Sequence, residues 1–72
     1  MAALAIEEEK AAALKLEGNT FIAANRFALA AEKYSEAIDL APNAVLYSNR
    51  AQAFIKMESY GLAIRDADEA IR

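Results

Sequence analysis

The chain has 72 residues, of which eight are basic and eleven acidic, so its formal net charge is −3 at pH 7. It has no cysteine and no histidine, which excludes disulfides, the common zinc sites and histidine acid–base catalysis. The acidic balance argues against nucleic acid as a partner, and no apolar run reaches the roughly 18–20 residues of a membrane span. We expect a small cytoplasmic or nuclear domain without a membrane partner.

Alanine, leucine, glutamate and lysine dominate the composition, which favours helix over strand. The first helix is predicted from about Ala3 to Ala24, and Asn25 ends it because asparagine tolerates the left-handed conformation. Apolar and small residues recur three and four positions apart along this helix, which is typical of a buried face. This inner stripe comprises Leu4, Ala11, Leu14, Gly18 and Phe21.

The second helix is predicted from about Phe27 to Leu40. Pro42 ends it, because a proline pushes the residue before it, Ala41, out of the helical region. Asn43 is then a suitable N-cap for the next helix. The inward residues of the second helix are Phe27, Ala30, Ala31, Tyr34, Ala37 and Ile38.

The third helix is predicted from about Ala44 to Met57 and the fourth from about Tyr60 to Ile71. The turn between them is Glu58-Ser59, with Ser59 as a candidate cap. Arg50 is expected to be structural and to face an acidic partner such as Asp39. One face of the third helix carries Tyr47, Arg50, Ala51 and Phe54.

A pattern of small and aromatic residues occurs twice, 33 residues apart. Small residues allow two antiparallel helices to approach to about 8–10 Å, and aromatic residues fill the space on either side. A period of this length indicates stacked helical units. The sequence therefore predicts an all-α fold of two stacked antiparallel hairpins. The predicted packing positions are Gly18, Phe21, Ala30, Tyr34, Pro42, Ala51, Phe54, Tyr60 and Ala63.

This pattern resembles the tetratricopeptide repeat, whose order is a large residue, Gly-x-x-aromatic, Ala-x-x-x-aromatic and Pro. The resemblance covers about residues 11–72 and implies a right-handed solenoid fragment. Residues 1–10 would be an N-terminal helical extension, residues 11–43 a first repeat, and residues 44–72 a truncated second repeat without a capping helix. The chain departs from the pattern at Ala67, where the family has a larger residue, and its spacing is one residue shorter than the family's.

Two segments, 15–19 and 47–51, resemble the dicarboxylate-clamp repeat domains of co-chaperones. The stretch 59–67 looks most like the repeat domain of a chaperone-associated serine/threonine phosphatase. Such domains hold the C-terminal Glu-Glu-Val-Asp tail of heat-shock chaperones. The resemblance implies that the carboxylate-binding residues are Lys15, Asn19, Asn49 and Lys56.

The spacing of these residues is compatible with that role. Lys15 and Asn19 are four positions apart, and Asn49 and Lys56 are seven apart, so each pair shares a helix face. Lysine supplies positive charge and asparagine supplies amide hydrogens, both of which a terminal carboxylate requires. In stacked hairpins we expect the tips of Lys15 and Asn49 to converge in one hollow.

Each of these residues also has a simpler interpretation. A surface lysine is usually only solvated. Asn19 could bind a glutamate or a neighbouring turn, and Asn49 could bridge backbone groups between the hairpins. Because clamp domains generally have a third repeat, which supplies two further basic residues, tail binding by these 72 residues is expected to be weaker by roughly 3–6 kcal/mol, or about two to four decades.

A second prediction concerns self-association. An uncovered fourth helix would expose apolar surface, so a structural or engineered fragment that forms a dimer or higher oligomer without a peptide ligand is the alternative function. Neither a cofactor nor a metal is expected, and no serine has a plausible activating base, so enzymatic activity is not predicted. The apolar surface of the fourth helix comprises Leu62, Ala63, Ala67, Ala70 and Ile71.

Overall fold

The computed structural model describes residues 2–72, with side chains from Ala5 onward, so the inner-stripe position of Leu4 lies outside the described side chains. The described residues form four α-helices: α1 (Ala2–Ala23), α2 (Phe27–Leu40), α3 (Ala44–Lys56) and α4 (Tyr60–Ala70). Each boundary is within one residue of its prediction. α1 packs on α2, α2 on α3 and α3 on α4, which confirms the predicted all-α pair of hairpins. None of these four helices is long and apolar enough to cross a membrane.

The two hairpins close with the same backbone turn, 33 residues apart. Asn25 and Glu58 both adopt the left-handed conformation, with φ of 60° and 62°. In each turn the next amide donates a 2.8 Å hydrogen bond to the carbonyl of a phenylalanine near the end of the preceding helix, which is the Schellman pattern. The predicted turn at Asn25 is confirmed. The candidate cap at Ser59 was wrong: its side chain makes no capping hydrogen bond, and its backbone, with φ of −91° and ψ of 65°, is not in the extended conformation usual for an N-cap.

The connection between the hairpins is fixed by Pro42 and Asn43. Ala41 leaves the helical region, with φ of −152° and ψ of 80°, as expected for the residue before a proline. The Asn43 side-chain oxygen accepts a 2.9 Å hydrogen bond from the Leu46 amide. The predicted N-cap of α3 is therefore confirmed.

The core is small and consists largely of alanine. Among the described side chains, Tyr34 and Leu46 are the largest that are fully buried. Leu46 comes from α3 and joins the first hairpin to the second, a role that the sequence pattern did not single out. Alanine at the remaining contacts allows the helices to pack closely. The buried cluster comprises Ala11, Ala30, Tyr34, Ala37, Ile38 and Leu46.

The ring of Tyr34 on α2 packs directly against the backbone of α1 at Gly18. A Cβ atom added at Gly18 would lie 2.6 Å from the Cε1 atom of that ring, well inside the roughly 3.5–4.0 Å at which carbon atoms pack. The tyrosine is only 2% exposed, so its ring has little room to move away. Gly18 therefore sets the separation of α1 and α2.

The equivalent position of the second hairpin is open, since Ala51 and Ala67 stand where the first has Gly18 and Tyr34. An apolar groove of about 250 Å³ runs between α3 and α4 there, and we call it the α4 groove. Tyr60 was predicted in the core, but it borders this groove and is 56% exposed. The prediction was wrong because none of the described helices packs over this side of α4. The groove is lined by Ala51, Ile55, Tyr60, Ala63, Ile64 and Ala67.

Replacing Gly18 with alanine is expected to destabilise the protein by about 1–3 kcal/mol, because the added methyl overpacks a buried ring. This loss should outweigh the gain in helix propensity, which is about 1 kcal/mol for glycine to alanine. Urea unfolding followed by circular dichroism measures the difference.

Gly61→Ala is the matched control, since Gly61 is also helical and a Cβ there has no neighbour within 4 Å. It should stabilise the protein by about 0.5–1 kcal/mol. Equal stabilisation by both substitutions would contradict the close contact at Gly18.

Candidate functional site

Lys15 lines a cavity of about 270 Å³ where α1 meets the start of α3. The residue is half-buried. The cavity opens beside the first turn of α3, where the positive end of the helix dipole favours an anion. Glu8 contributes the opposing negative charge. The walls are formed by Glu8, Ala11, Ala12, Lys15, Ala41, Pro42, Asn43 and Leu46.

Asn19 lies one helical turn after Lys15 on α1 and is exposed. Its side-chain oxygen accepts a 2.5 Å hydrogen bond from the hydroxyl of Tyr34. The partner of Asn19 is thus a buried phenol of the neighbouring helix, whereas the simpler interpretation proposed a glutamate or a turn. Burial also raises the pKa of Tyr34, so the phenol keeps its proton and remains a donor at neutral pH.

Asn49 lines a second cavity, of about 360 Å³, between the first half of α3 and the end of α4. Among residues 2–72 its side chain makes no hydrogen bond, so the bridge between hairpins proposed as an alternative is not observed. Lys56 is exposed at the last position of α3, where its charge also complements the helix dipole.

The four predicted carboxylate-binding residues therefore lie in four places: Lys15 and Asn49 line separate cavities, Asn19 is on the exposed surface of α1, and Lys56 is at the end of α3. Lys15 and Asn19 share a face of α1. Asn49 lines the cavity between α3 and the end of α4, and Lys15 is not part of that cavity. The convergence of these side chains on one ligand stays a prediction.

Arg50 on α3 joins three helices through its guanidinium group. Its Nε and Nη2 atoms donate to the two carboxylate oxygens of Asp66 on α4, both at 2.7 Å, and Nη1 donates to the hydroxyl oxygen of Ser35 on α2 at 2.8 Å. The rings of Tyr47 and Phe54 lie 5.7 and 5.6 Å from the guanidinium carbon, within cation–π distance. The Asp66 hydrogen bonds raise the pKa of Arg50. Arg50 thus fixes the second hairpin internally and ties it to the first.

The expected acidic partner of Arg50 was Asp39, and this was wrong. Asp39 acts on Arg50 only by longer-range attraction, whereas the hydrogen bonds of the guanidinium go to Asp66 and Ser35. The sequence does contain a signal for the pairing of Arg50 with Asp66. Arg50 and Asp66 occupy the repeat positions of Glu17 and Lys33, which form an ion pair of reversed polarity at 4.0 Å in the first hairpin.

No protein-family model matches the chain. The chain is, however, similar to segments of several longer proteins. It is 44% identical over 63 residues to the small glutamine-rich tetratricopeptide repeat-containing protein 2 of Saccharomyces cerevisiae, a match that covers 86% of this chain and 18% of that protein. It is 41% identical over 64 residues to serine/threonine-protein phosphatase 5 of Homo sapiens, covering 88% and 13%.

A third similarity is to the Hsp70-Hsp90 organizing protein of Triticum aestivum, with 45% identity over 58 residues, covering 79% of this chain and 10% of that protein. The chain thus spans less than a fifth of the length of these curated relatives. The similarity is to a repeat domain that three otherwise different proteins share.

Replacing Asp66 with alanine is expected to lower the free energy of unfolding by about 3 kcal/mol, because it leaves a largely buried guanidinium without its carboxylate. Asp68→Ala is the control on the same helix, since Asp68 is exposed, and should change stability by less than about 0.5 kcal/mol. Thermal and urea unfolding of both variants provide the measurement. Similar losses for the two would show that the Arg50 network adds nothing to stability.

Proposed function

The chain belongs to the tetratricopeptide-repeat family of protein-interaction modules, and we propose that it binds the acidic C-terminal tail of a heat-shock chaperone. The terminal carboxylate would be held by lysine charge and asparagine amides from both hairpins. The proposal includes a cytoplasmic or nuclear location. The binding residues would be Lys15, Asn19, Asn49 and Lys56.

The arrangement of Lys15 carries this proposal. The lysine lines a cavity beside the capped start of α3, so its charge and the positive end of the helix dipole favour the same anion. Asn19 follows on the same face of α1. Relatives of the chain include a protein whose name describes the organisation of two heat-shock chaperones, which supports a chaperone as the source of the acidic tail.

Binding is expected to be weak. Each hydrogen bond to a charged group contributes roughly 1.5–3 kcal/mol, and the proposed site offers only two amide and two ammonium groups, one of them at the exposed end of α3. Glu8 on the wall of the Lys15 cavity also repels a carboxylate. We therefore expect a dissociation constant of about 0.1–1 mM, which corresponds to roughly 4–5.5 kcal/mol.

An NMR titration of the ¹⁵N-labelled chain with a peptide ending in Glu-Glu-Val-Asp tests the proposal. Lys15→Ala should weaken binding about tenfold or more, because it removes a charged donor, and Asn49→Ala should abolish it. Lys10→Ala is the control, since it removes the same charge from an exposed position of α1, and it should change the affinity less than twofold.

The same peptide with a C-terminal amide should not bind, because the terminal carboxylate is then absent. Equal affinity for the acid and the amide, or equal losses for Lys10→Ala and Lys15→Ala, would rule out recognition of the carboxylate at this site.

The α4 groove supports a second candidate function, self-association with another copy of the chain. Its lining is apolar and includes Ile64, which is 63% exposed. A stable interface takes about 800 Å² from each partner, which is about a sixth of the 4799 Å² surface of this chain. The groove and the exposed side chains around it would therefore have to be covered together.

Ile64→Glu is expected to abolish self-association, because it puts a charge into an apolar contact. Leu16→Glu is a matched control, since Leu16 is equally exposed on α1 at 63% and lies outside the α4 groove. Sedimentation velocity over a range of concentrations measures both. A constant monomer mass for the unsubstituted chain at all concentrations would count against this function.

A further inference from the structure

The hydrogen bond between Tyr34 and Asn19 links the most buried part of the core to the proposed peptide-binding face. The tyrosine is 2% exposed and belongs to the central cluster, whereas Asn19 is exposed one turn after Lys15 on α1. The phenol reaches Asn19 because Gly18, the residue before it, has no side chain to hold the ring away. A core contact and a surface amide are thus adjacent on one helix turn.

An asparagine side chain can present either of two faces to a ligand. One end is an oxygen that accepts hydrogen bonds, and the other is an NH₂ group that donates two. A carboxylate is attracted by the NH₂ group and repelled by the oxygen. The affinity of any site that uses Asn19 for a carboxylate therefore depends on which end points outward.

The buried hydroxyl of Tyr34 determines which end of the Asn19 amide points outward. Its proton needs an acceptor, since a buried donor left unpaired costs about 1–3 kcal/mol. Within residues 2–72 the only side-chain hydrogen bond of the Tyr34 hydroxyl is to the Asn19 oxygen, at 2.5 Å. If the amide turned over, its nitrogen would face the phenol oxygen, and the phenol proton would lose its acceptor.

We propose that Tyr34 is a positioning residue for peptide binding, which orients the Asn19 amide so that its NH₂ group faces the ligand carboxylate. This inference rests on the proposed function. Tyr34 does not itself contact the ligand. The second hairpin has no such pair, because Gln52 and Ala67 stand at the equivalent positions, so the orienting contact belongs to the first hairpin alone.

The test is a double-mutant cycle with the free-acid Glu-Glu-Val-Asp peptide. Tyr34→Phe keeps the ring and removes the hydroxyl, and it should weaken binding about three- to tenfold, the range of one net hydrogen bond. Asn19→Ala should weaken binding as well. In the Asn19→Ala background, Tyr34→Phe should cost less than about twofold, because the group through which it acts has gone.

Tyr60→Phe is the matched control, since it removes a hydroxyl from an exposed ring away from α1, and it should leave the affinity unchanged within twofold. Equal affinity of Tyr34→Phe and the unsubstituted chain would overturn the inference. So would an undiminished effect of Tyr34→Phe in the Asn19→Ala background, because that outcome indicates a general loss of packing.

A second measurement needs no ligand and separates this inference from the proposed function. Nuclear Overhauser effects from the Asn19 NH₂ protons to the Tyr34 ring should be weak in the unsubstituted chain, because the nitrogen faces outward. Strong effects would mean that the nitrogen faces the phenol, which overturns the inference. If the unsubstituted chain does not bind the peptide, the proposed function fails, and these effects alone decide whether Tyr34 orients the amide.

Discussion

The contact between the Tyr34 ring and the α1 backbone at Gly18 is the constraint on which the rest of the structure depends. Where a Cβ would lie 2.6 Å from the ring, the helices can meet only because position 18 is a glycine. The approach buries the ring completely, and it brings the phenol beside Asn19. A single small residue therefore links the packing of the first hairpin to the chemistry of its surface.

The second hairpin is stabilised by a different contact, although it repeats the small-and-aromatic pattern of the first at a spacing of 33 residues. Ala51 and Ala67 leave the α4 groove where the first hairpin has a packed ring, and Arg50 supplies the fixed contact instead. Its bidentate bond to Asp66 is short, at 2.7 Å for both contacts, and largely buried, which gives it geometric specificity as well as strength. The reversed pair, Lys33 and Glu17, is longer and more exposed, so it contributes little.

The helices and the turns between them could be predicted from the sequence, because local signals determine them. Asn25, Pro42 and Asn43 each act through their own backbone or side chain, and they ended or began helices within one residue of the predicted positions. Tyr60 and the partner of Arg50 could not be predicted in this way. Their environments depend on which helix packs over which face, and a period of small residues does not specify that.

The candidate site depends on the same kind of information. Helix spacing is enough to put Lys15 and Asn19 on one face of α1, but it does not reveal that the Asn19 oxygen is already occupied by a phenol from α2. Nor does it reveal that Lys15 and Asn49 line separate cavities on two sides of α3. The distance between these donors follows from the position of α3 relative to α1. Leu46, packed into the first hairpin, and Arg50, bonded to Ser35 of α2, hold that position, so the geometry of the candidate site depends on two residues outside the predicted carboxylate-binding set.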